Sequence, residues 1–356
     1  MSNHDRQRTL WPIEQDKRKS TKKFASLAPA QPSVVYDIYW KFAAERQAAF
    51  FRRFRSEPYP WSNDEIIATY KFTNAYRASD RVSQYLIRKV IYREPQSSHE
   101  VFFRTILFKL FNKIETWELL ESELGEISYD RYSFEKYDRV LTAAMDRKQS
   151  IYSAAYIMPS GSRKQGSTKK HRSHLGLLQQ MMEDEVPDQI TICKSMREAF
   201  ELLLSYPMIG DFLAYQYVTD LNYSELCDFS EMDFVVPGPG AIDGISKCFK
   251  SLGGLTETDI IKLVTERQCE EFERLGLEFE SLWGRPLQLI DCQNLFCEVS
   301  KYSRVSHPKV QGVANRTRIK QKYKPNTNDL PLWYPPKWGI NDRIGANHNE
   351  SKGKLP

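Results

Sequence analysis

Apolar side chains recur at intervals of three and four along most of this chain, which is the helical period, and no segment alternates apolar with polar convincingly enough to predict a strand. The spacing predicts helices at 36–55, 63–92, 100–120, 132–146, 149–158, 173–183, 195–205, 211–221, 241–251, 256–275 and 289–303. The segment 63-NDEIIATYKFTNAYRASDRVSQYLIRKVIY-92 opens on an Asn63 or Asp64 cap and reads as one long buried helix. The segment 100-EVFFRTILFKLFNKIETWELL-120 is apolar around most of its circumference, which places it at the centre of the domain. An all-α fold follows. Residues 1–33 lack the period and end in LAPAQPS, so they are expected to form a mobile basic arm ahead of a helical domain over 34–305. Residues 306–356 read as a basic, proline-rich extension in which Trp-Tyr-Pro-Pro forms a strap, and 159–173 reads as an exposed basic loop.

Composition narrows the class. At 356 residues, 41% hydrophobic and 13% aromatic, the chain can bury a substantial core, and no run approaches the ~20 apolar residues that cross a bilayer. No membrane association is expected, and without an apolar leader the expected location is cytoplasmic. Six cysteines, Cys193, Cys227, Cys248, Cys269, Cys292 and Cys297, form no CxxC pair and have no histidine at ligand spacing, so buried, reduced thiols are expected and no metal, iron-sulfur cluster or cofactor. The net charge of +5 is uneven: basic residues crowd 17–23, 163–172 and 301–324, the last without one Asp or Glu, as suits a polyanion or a solvated tail.

Candidate chemistry concentrates in 205-SYPMIGDFLAYQYVTDLNYSELCDFSEMDFVVPGPGA-241. Pro207, Ile209 and Gly210 close a turn between two predicted helices, and the backbone N–H groups at the start of the second can hold a DNA phosphate. The same residues also suit an ordinary turn between helices. Glu231 and Asp233 precede the apolar Phe234-Val235-Val236 and a turn built on Gly238 and Gly240; a carboxylate here can be catalytic or can cap the next helix. The two glycines fit either a plain turn or a close approach of backbone to DNA.

Tyr206-Pro207-Met208-Ile209-Gly210 with Ala214 resembles the hairpin of the helix-hairpin-helix DNA glycosylases, departing at Met208, where that superfamily has glycine. More specifically, 74-NAYRASDRVSQYLI-87, 103-FRTILFKLFNKIETW-117, 151-IYSAAYIMPS-160, 209-IGDFLAYQYVTDLNYS-224, 231-EMDFVVPGPGAIDGISKCF-249 and 291-DCQNLFCEVSKY-302 resemble the alpha-glutamyl/putrescinyl thymine pyrophosphorylase group, related to the helical domain beside phage 5-hydroxymethyluracil DNA kinases. The resemblance implies a helical glycosylase-like fold and a substrate of double-stranded DNA carrying hypermodified pyrimidines, bound by base flipping. It places the catalytic carboxylate at Asp233 or Glu231. A carboxylate in a dry site stabilises the oxocarbenium-like state of N-glycoside cleavage. Bifunctional members carry a lysine where this chain has Phe212, which implies a monofunctional enzyme that leaves an abasic site, in a role such as anti-phage defence. A monomer is expected.

The pocket for the base is drawn from residues at helical spacing: Asn74, Arg77, Asp80, Arg81 and Gln84 on one face of a helix, Tyr152 and Tyr156 one turn apart, and Tyr215 with Gln216 after the hairpin. The alternative is internal ion pairing and aromatic core. Lys109, Asn112, Lys169, Lys170 and Arg172 join the hairpin as candidate DNA contacts, Asn112 as the amide that fills the gap in the duplex. Three functions compete: the glycosylase, a transferase that displaces pyrophosphate from an activated hydroxymethyl-pyrimidine to install an amine, with Arg77, Arg81 and Lys109 holding the leaving group, and a helical DNA-binding module without catalysis. No phosphate-binding loop of a kinase is present.

Overall fold

The computed structural model describes residues 30–160, 169–325 and 331–344. In chain order its helices are α1 (Val34–Phe54), α2 (Glu65–Thr69), α3 (Arg81–Tyr85), α4 (Ser98–Phe111), α5 (Ile114–Leu124), α6 (Phe134–Asp146) and α7 (Lys170–Glu183). They continue as α8 (Val186–Ile192), α9 (Met196–Leu204), α10 (Asp211–Leu221), α11 (Pro239–Cys248), α12 (Glu257–Glu266), α13 (Gln268–Arg274) and α14 (Leu289–Ser306). The fold is all-α, as the periodicity predicts. Strand structure among the described residues is one short antiparallel pair, β1 (Gln31–Pro32) with β2 (Phe249–Ser251).

Two helical layers share one core. In the first, α14 packs against α1, α11 and α12; its approach to α11 is so close that a Cβ on Gly244 would lie 2.0 Å from the Phe296 carbonyl oxygen, so only glycine fits there. In the second, α4 packs against α7, α8 and α10, and almost its whole surface is buried, in line with its apolar circumference. α9 and α10 form a hairpin, with α10 against α4, and its turn holds Met208 at φ +67°, the left-handed conformation that glycine adopts without strain.

The departures from the periodicity have local causes. The predicted helix 63–92 is instead α2, an irregular stretch, a short 3-10 turn (Arg77–Ser79), α3 and a π-helical turn (Leu86–Ile91). Polar groups take over the backbone there: Thr73 and Asn74 donate their N–H groups to Glu298 Oε2 at 3.0 Å and Asp80 Oδ1 at 2.8 Å. The segment 100–120 breaks at Asn112, which closes α4 in the left-handed conformation at φ +48°. The predicted helix 149–158 is absent; Ser153 N–H bonds back to the Phe111 carbonyl at 3.0 Å and Tyr156 turns at φ +55°. Thus Tyr152 and Tyr156 are not neighbours on a helix. The segment 256–275 divides at Arg267 into α12 and α13. All six cysteines are free thiols; Cys227, Cys248 and Cys292 are buried as expected, whereas Cys269 is exposed.

The C-terminal strap is packed structure. Tyr334 is fully buried with its hydroxyl 2.8 Å from that of Ser79, and Lys337 donates to the carbonyls of Ser224 and Cys227 at 2.9 and 2.6 Å. Of the expected N-terminal arm, residues 1–29 lie outside the described residues, as does the centre of the basic loop at 161–168, whereas Gln31–Pro32 are paired in β1 and Ser33 caps α1 instead of belonging to a mobile arm.

Candidate functional site

Side chains from the 3-10 turn at Arg77–Ser79 and from α4 converge on Asp220, near the end of α10. Arg77 Nη1 donates to Asp220 Oδ1 at 2.7 Å and to the Tyr223 hydroxyl at 3.0 Å, while its Nε donates to Gln216 Oε1 at 3.1 Å. From α4, Lys109 Nζ stands 3.1 Å from Asp220 Oδ2, an ion pair off the line of a good hydrogen bond, and donates to Asn112 Oδ1 at 2.7 Å. The left-handed turn at Asn112 is what aims its amide back at Lys109. Arg77, Lys109 and Asp220 are each at most 2% exposed.

Tyr156 covers this cluster. The Lys109 ammonium lies 4.5 Å and the Arg77 guanidinium 5.9 Å from its ring centroid, and the ring stacks on Phe212 at 5.7 Å and 3°. Both rings are half-buried, so they form the boundary between the charges and solvent. A bulky residue at positive φ costs of order 1–3 kcal/mol, and such strain collects at functional sites. Gly238 packs on Phe212: a Cβ there would meet that ring at 2.8 Å and Gln293 Nε2 at 3.7 Å.

The electrostatics are unbalanced. Burial works to raise the Asp220 pKa, yet Arg77 and then Lys109 outweigh it and hold the carboxyl below its usual range, so it is ionised. Burial pushes Lys109 down to about 8, with Asp220 opposing the fall and Arg77 adding to it. Two cations therefore share one carboxylate. Behind them, Asp291 accepts the Arg77 backbone N–H at 2.8 Å and that of Gln288 at 3.0 Å; burial raises its pKa to about 7 despite these bonds.

Of the residues drawn from the sequence, Arg77, Lys109, Asn112, Tyr156 and Gln216 meet in this cluster. Tyr215 is adjacent but fully buried, edge-on to Phe234. Asn74, Asp80, Arg81 and Gln84 do not share a helix face with Arg77, because the helix expected there is broken. Asn74 Oδ1 accepts from Arg46 and its Nδ2 donates to the Ser79 carbonyl at 2.7 Å; Gln84 Nε2 donates to the Ala78 carbonyl at 2.8 Å. Asp80 is raised to about 7 by burial, partly offset by the Asn74 N–H, and Arg81 is exposed, 3.7 Å from Glu115. Arg81 is thus separated from the two cations it was grouped with.

The two carboxylates after the hairpin part company. Asp233 is exposed on a turn, outside the dry surroundings expected for it, while Glu231 accepts from Arg285 Nη2 at 2.7 Å, with the Arg285 guanidinium 3.8 Å above Trp338. Neither caps α11, whose N-cap is Gly238. Lys109 and Asn112 are too deeply buried to touch a duplex, and Ile209 is buried beneath an exposed Pro207 and Gly210. A Cβ on Gly240 would lie 3.0 Å from Cys297 Sγ, so internal packing accounts for that glycine. Tyr152 stacks on Phe111 and donates or accepts at 2.8 Å with His174 Nδ1; Lys170 lies over its ring at 4.6 Å. Lys169 pairs with Asp146 at 3.4 Å and Arg172 with Asp138 at 2.7 Å, on a separate face.

Asp220, Tyr223, Asp291 and Gln293 were not singled out in the sequence. The signal for Asp220 was present: a carboxylate inside the apolar run 211-DFLAYQYVTDL-221, one turn beyond Gln216, has to find a buried cation.

Residues 33–312 match the family described as the helical domain of 5-hmdU DNA kinase. The chain is 27% identical over 329 residues to a 5-hmdU DNA kinase of Bacillus phage SP10, an alignment covering 86% of this chain and 51% of that protein. It therefore spans about half the length of the curated relative it matches. No solved structure matches it.

Proposed function

The chain belongs to the family of 5-hmdU DNA kinase helical domains, and from that membership we propose that it processes DNA carrying a 5-substituted uracil, taken out of the duplex and received at the Tyr156 face of the Arg77–Asp220–Lys109 cluster. The relative's name supplies the base, and the cluster supplies the chemistry. The observation that carries the reading is the surplus positive charge: two buried cations against one carboxylate suit an anionic group carried by the base.

The reaction that uses such a surplus is displacement of an anionic leaving group from the exocyclic methylene. An amine attacks the methylene carbon, the carbon–oxygen bond breaks, and pyrophosphate leaves with the bonding electrons toward Arg77 and Lys109. The attacking nitrogen loses its extra proton to solvent. Tyr156 and Phe212 offer the base a stacking face as it arrives. The uncapped start of α10 at Gly210 supplies backbone N–H groups for the DNA phosphates beside the hairpin.

Glycosidic cleavage is the second reading, favoured by the hairpin between α9 and α10, with Asp233, exposed as it stands, as its carboxylate; acting on phage DNA, such an enzyme would serve defence. One experiment separates the two. A duplex with a single pyrophosphorylated 5-hydroxymethyluracil is incubated with the protein and a diamine, and released pyrophosphate, base mass and abasic sites are all measured. Pyrophosphate release lost in Lys109→Met supports the displacement. Abasic sites lost in Asp233→Asn support the glycosylase, and neither product leaves a binding module. Binding should weaken steeply with salt in every case.

A further inference from the structure

Resting on the reading that a pyrimidine base is received at this site, we propose that Gln216 reads it, its side-chain NH2 donating to a ring carbonyl of the flipped base. Gln216 is fully buried on α10, one turn after Phe212. Its Oε1 accepts from Arg77 Nε at 3.1 Å, and its Nε2 has no hydrogen-bond partner. The amide cannot be reversed to cure this, since its NH2 would then face the guanidinium N–H. A donor of fixed direction is thus left over next to Arg77, whose guanidinium lies 5.9 Å from the Tyr156 ring centroid.

A second buried amide is also short of a partner. Gln293, on α14, is fully buried; its Nε2 lies 3.3 Å from Cys297 Sγ, and its Oε1 is unpartnered. It flanks Gly238, which in turn packs on Phe212. An unfilled donor one turn from Phe212 on α10, and an unfilled acceptor on an α14 side chain beside the glycine that packs on Phe212, are therefore both found around that ring. A uracil edge presents the complement, a carbonyl next to the N3–H group. Buried polar atoms are normally satisfied, so a ligand that satisfies both gains affinity that a base lacking the matching groups does not.

The test is Gln216→Glu, which keeps an oxygen facing Arg77 and replaces the donor by an acceptor. Affinities are measured by fluorescence anisotropy on duplexes that differ at one site: 5-hydroxymethyluracil with and without a phosphate on its hydroxymethyl oxygen, thymine, 5-hydroxymethylcytosine, and an abasic sugar. Urea unfolding checks that the variant is folded. The expected result is a loss of about tenfold or more for the modified uracil and an unchanged affinity for the abasic duplex. Equal losses on both duplexes would overturn the proposal, because Gln216 would then only hold Arg77 in place. An unchanged variant beside a wild type that prefers modified uracil would overturn it while leaving the proposed function intact. A wild type that ranks all bases alike, or prefers the cytosine, would sink both readings.

Discussion

Two buried arginines in this protein, Arg104 and Arg77, answer the same desolvation problem in opposite ways. Arg104, fully buried on α4, gives Nε to the Val90 carbonyl at 3.1 Å, Nη1 to Glu100 Oε2 at 3.1 Å, and Nη2 to the carbonyls of Arg93 and Pro95 at 2.7 and 2.8 Å. Glu100 Oε1 in turn accepts from the Ser128 hydroxyl and the N–H groups of Tyr129 and Asp130. The charges balance one to one and the hydrogen bonds close on themselves. Around Arg77 the charges run two to one and an amide NH2 is left over. A closed network fixes loops; an open one, with charge and hydrogen-bonding capacity to spare beneath a strained tyrosine, is built to accept something.

The closed network should be the costlier to break. Glu100→Ala removes the counter-ion of Arg104 and the acceptor for three donors, so unfolding free energy should fall by about 3–5 kcal/mol, read as a lower urea midpoint at unchanged slope. Loss below about 1 kcal/mol would mean that the loop at Ser128 re-forms without its acceptor and that the contrast with Arg77 is weaker than drawn.

Lys109→Met sharpens the contrast from the other side. It removes the surplus cation and leaves Arg77 and Asp220 as a matched pair, so stability should stay within about 1 kcal/mol of wild type or rise. Binding of DNA with a phosphorylated 5-hydroxymethyluracil should weaken about tenfold or more, the scale of a charge-assisted contact. A variant that loses stability as badly as Glu100→Ala, with binding intact, would make Lys109 a structural residue.

The same contrast explains what the sequence could and could not disclose. Helix period located α1, α6, α7, α9, α10 and α14 closely, because the apolar spacing runs through each of them without interruption. It failed at 63–92 and 149–158, where backbone groups leave the helical ladder for Asp80 six residues away and for Glu298 and the Phe111 carbonyl far along the chain. Arg77, Lys109 and Gln216 were legible as polar residues in apolar surroundings. Their common partner Asp220 was not, since pairing across 143 residues from Arg77 is a property of the packed layers. Nor does any pattern reveal that Arg104 is closed and Arg77 open; both are arginines in apolar runs, and only the count of satisfied atoms separates them.

A smaller effect distinguishes the two carboxylates nearest Arg77. Asp220, paired with cations, is ionised, whereas Asp291 has backbone N–H donors, and burial raises it to about 7 from an unfolded value of 3.8. Glu231, which opposes its ionisation, and Arg285, which favours it, face it as well. The native state therefore holds this proton longer than the unfolded chain does. Its contribution to stability is full below about 3.8 and is lost as pH rises through about 7; Asp80, also raised to about 7, acts in the same direction. Lys109, lowered to about 8, runs the other way, adding stability between about 8 and 10.5, so its window does not overlap. Asp291→Asn removes one titrating group and should flatten the fall in urea midpoint between pH 4 and 7, by at most about 1.4 kcal/mol per pH unit. Because Asp80 keeps its own share of the slope, only a slope left unchanged by the substitution would mean that Asp291 is ionised like Asp220, and that the layer behind Arg77 carries a second negative charge. The surplus on which the open cluster depends would then be cancelled.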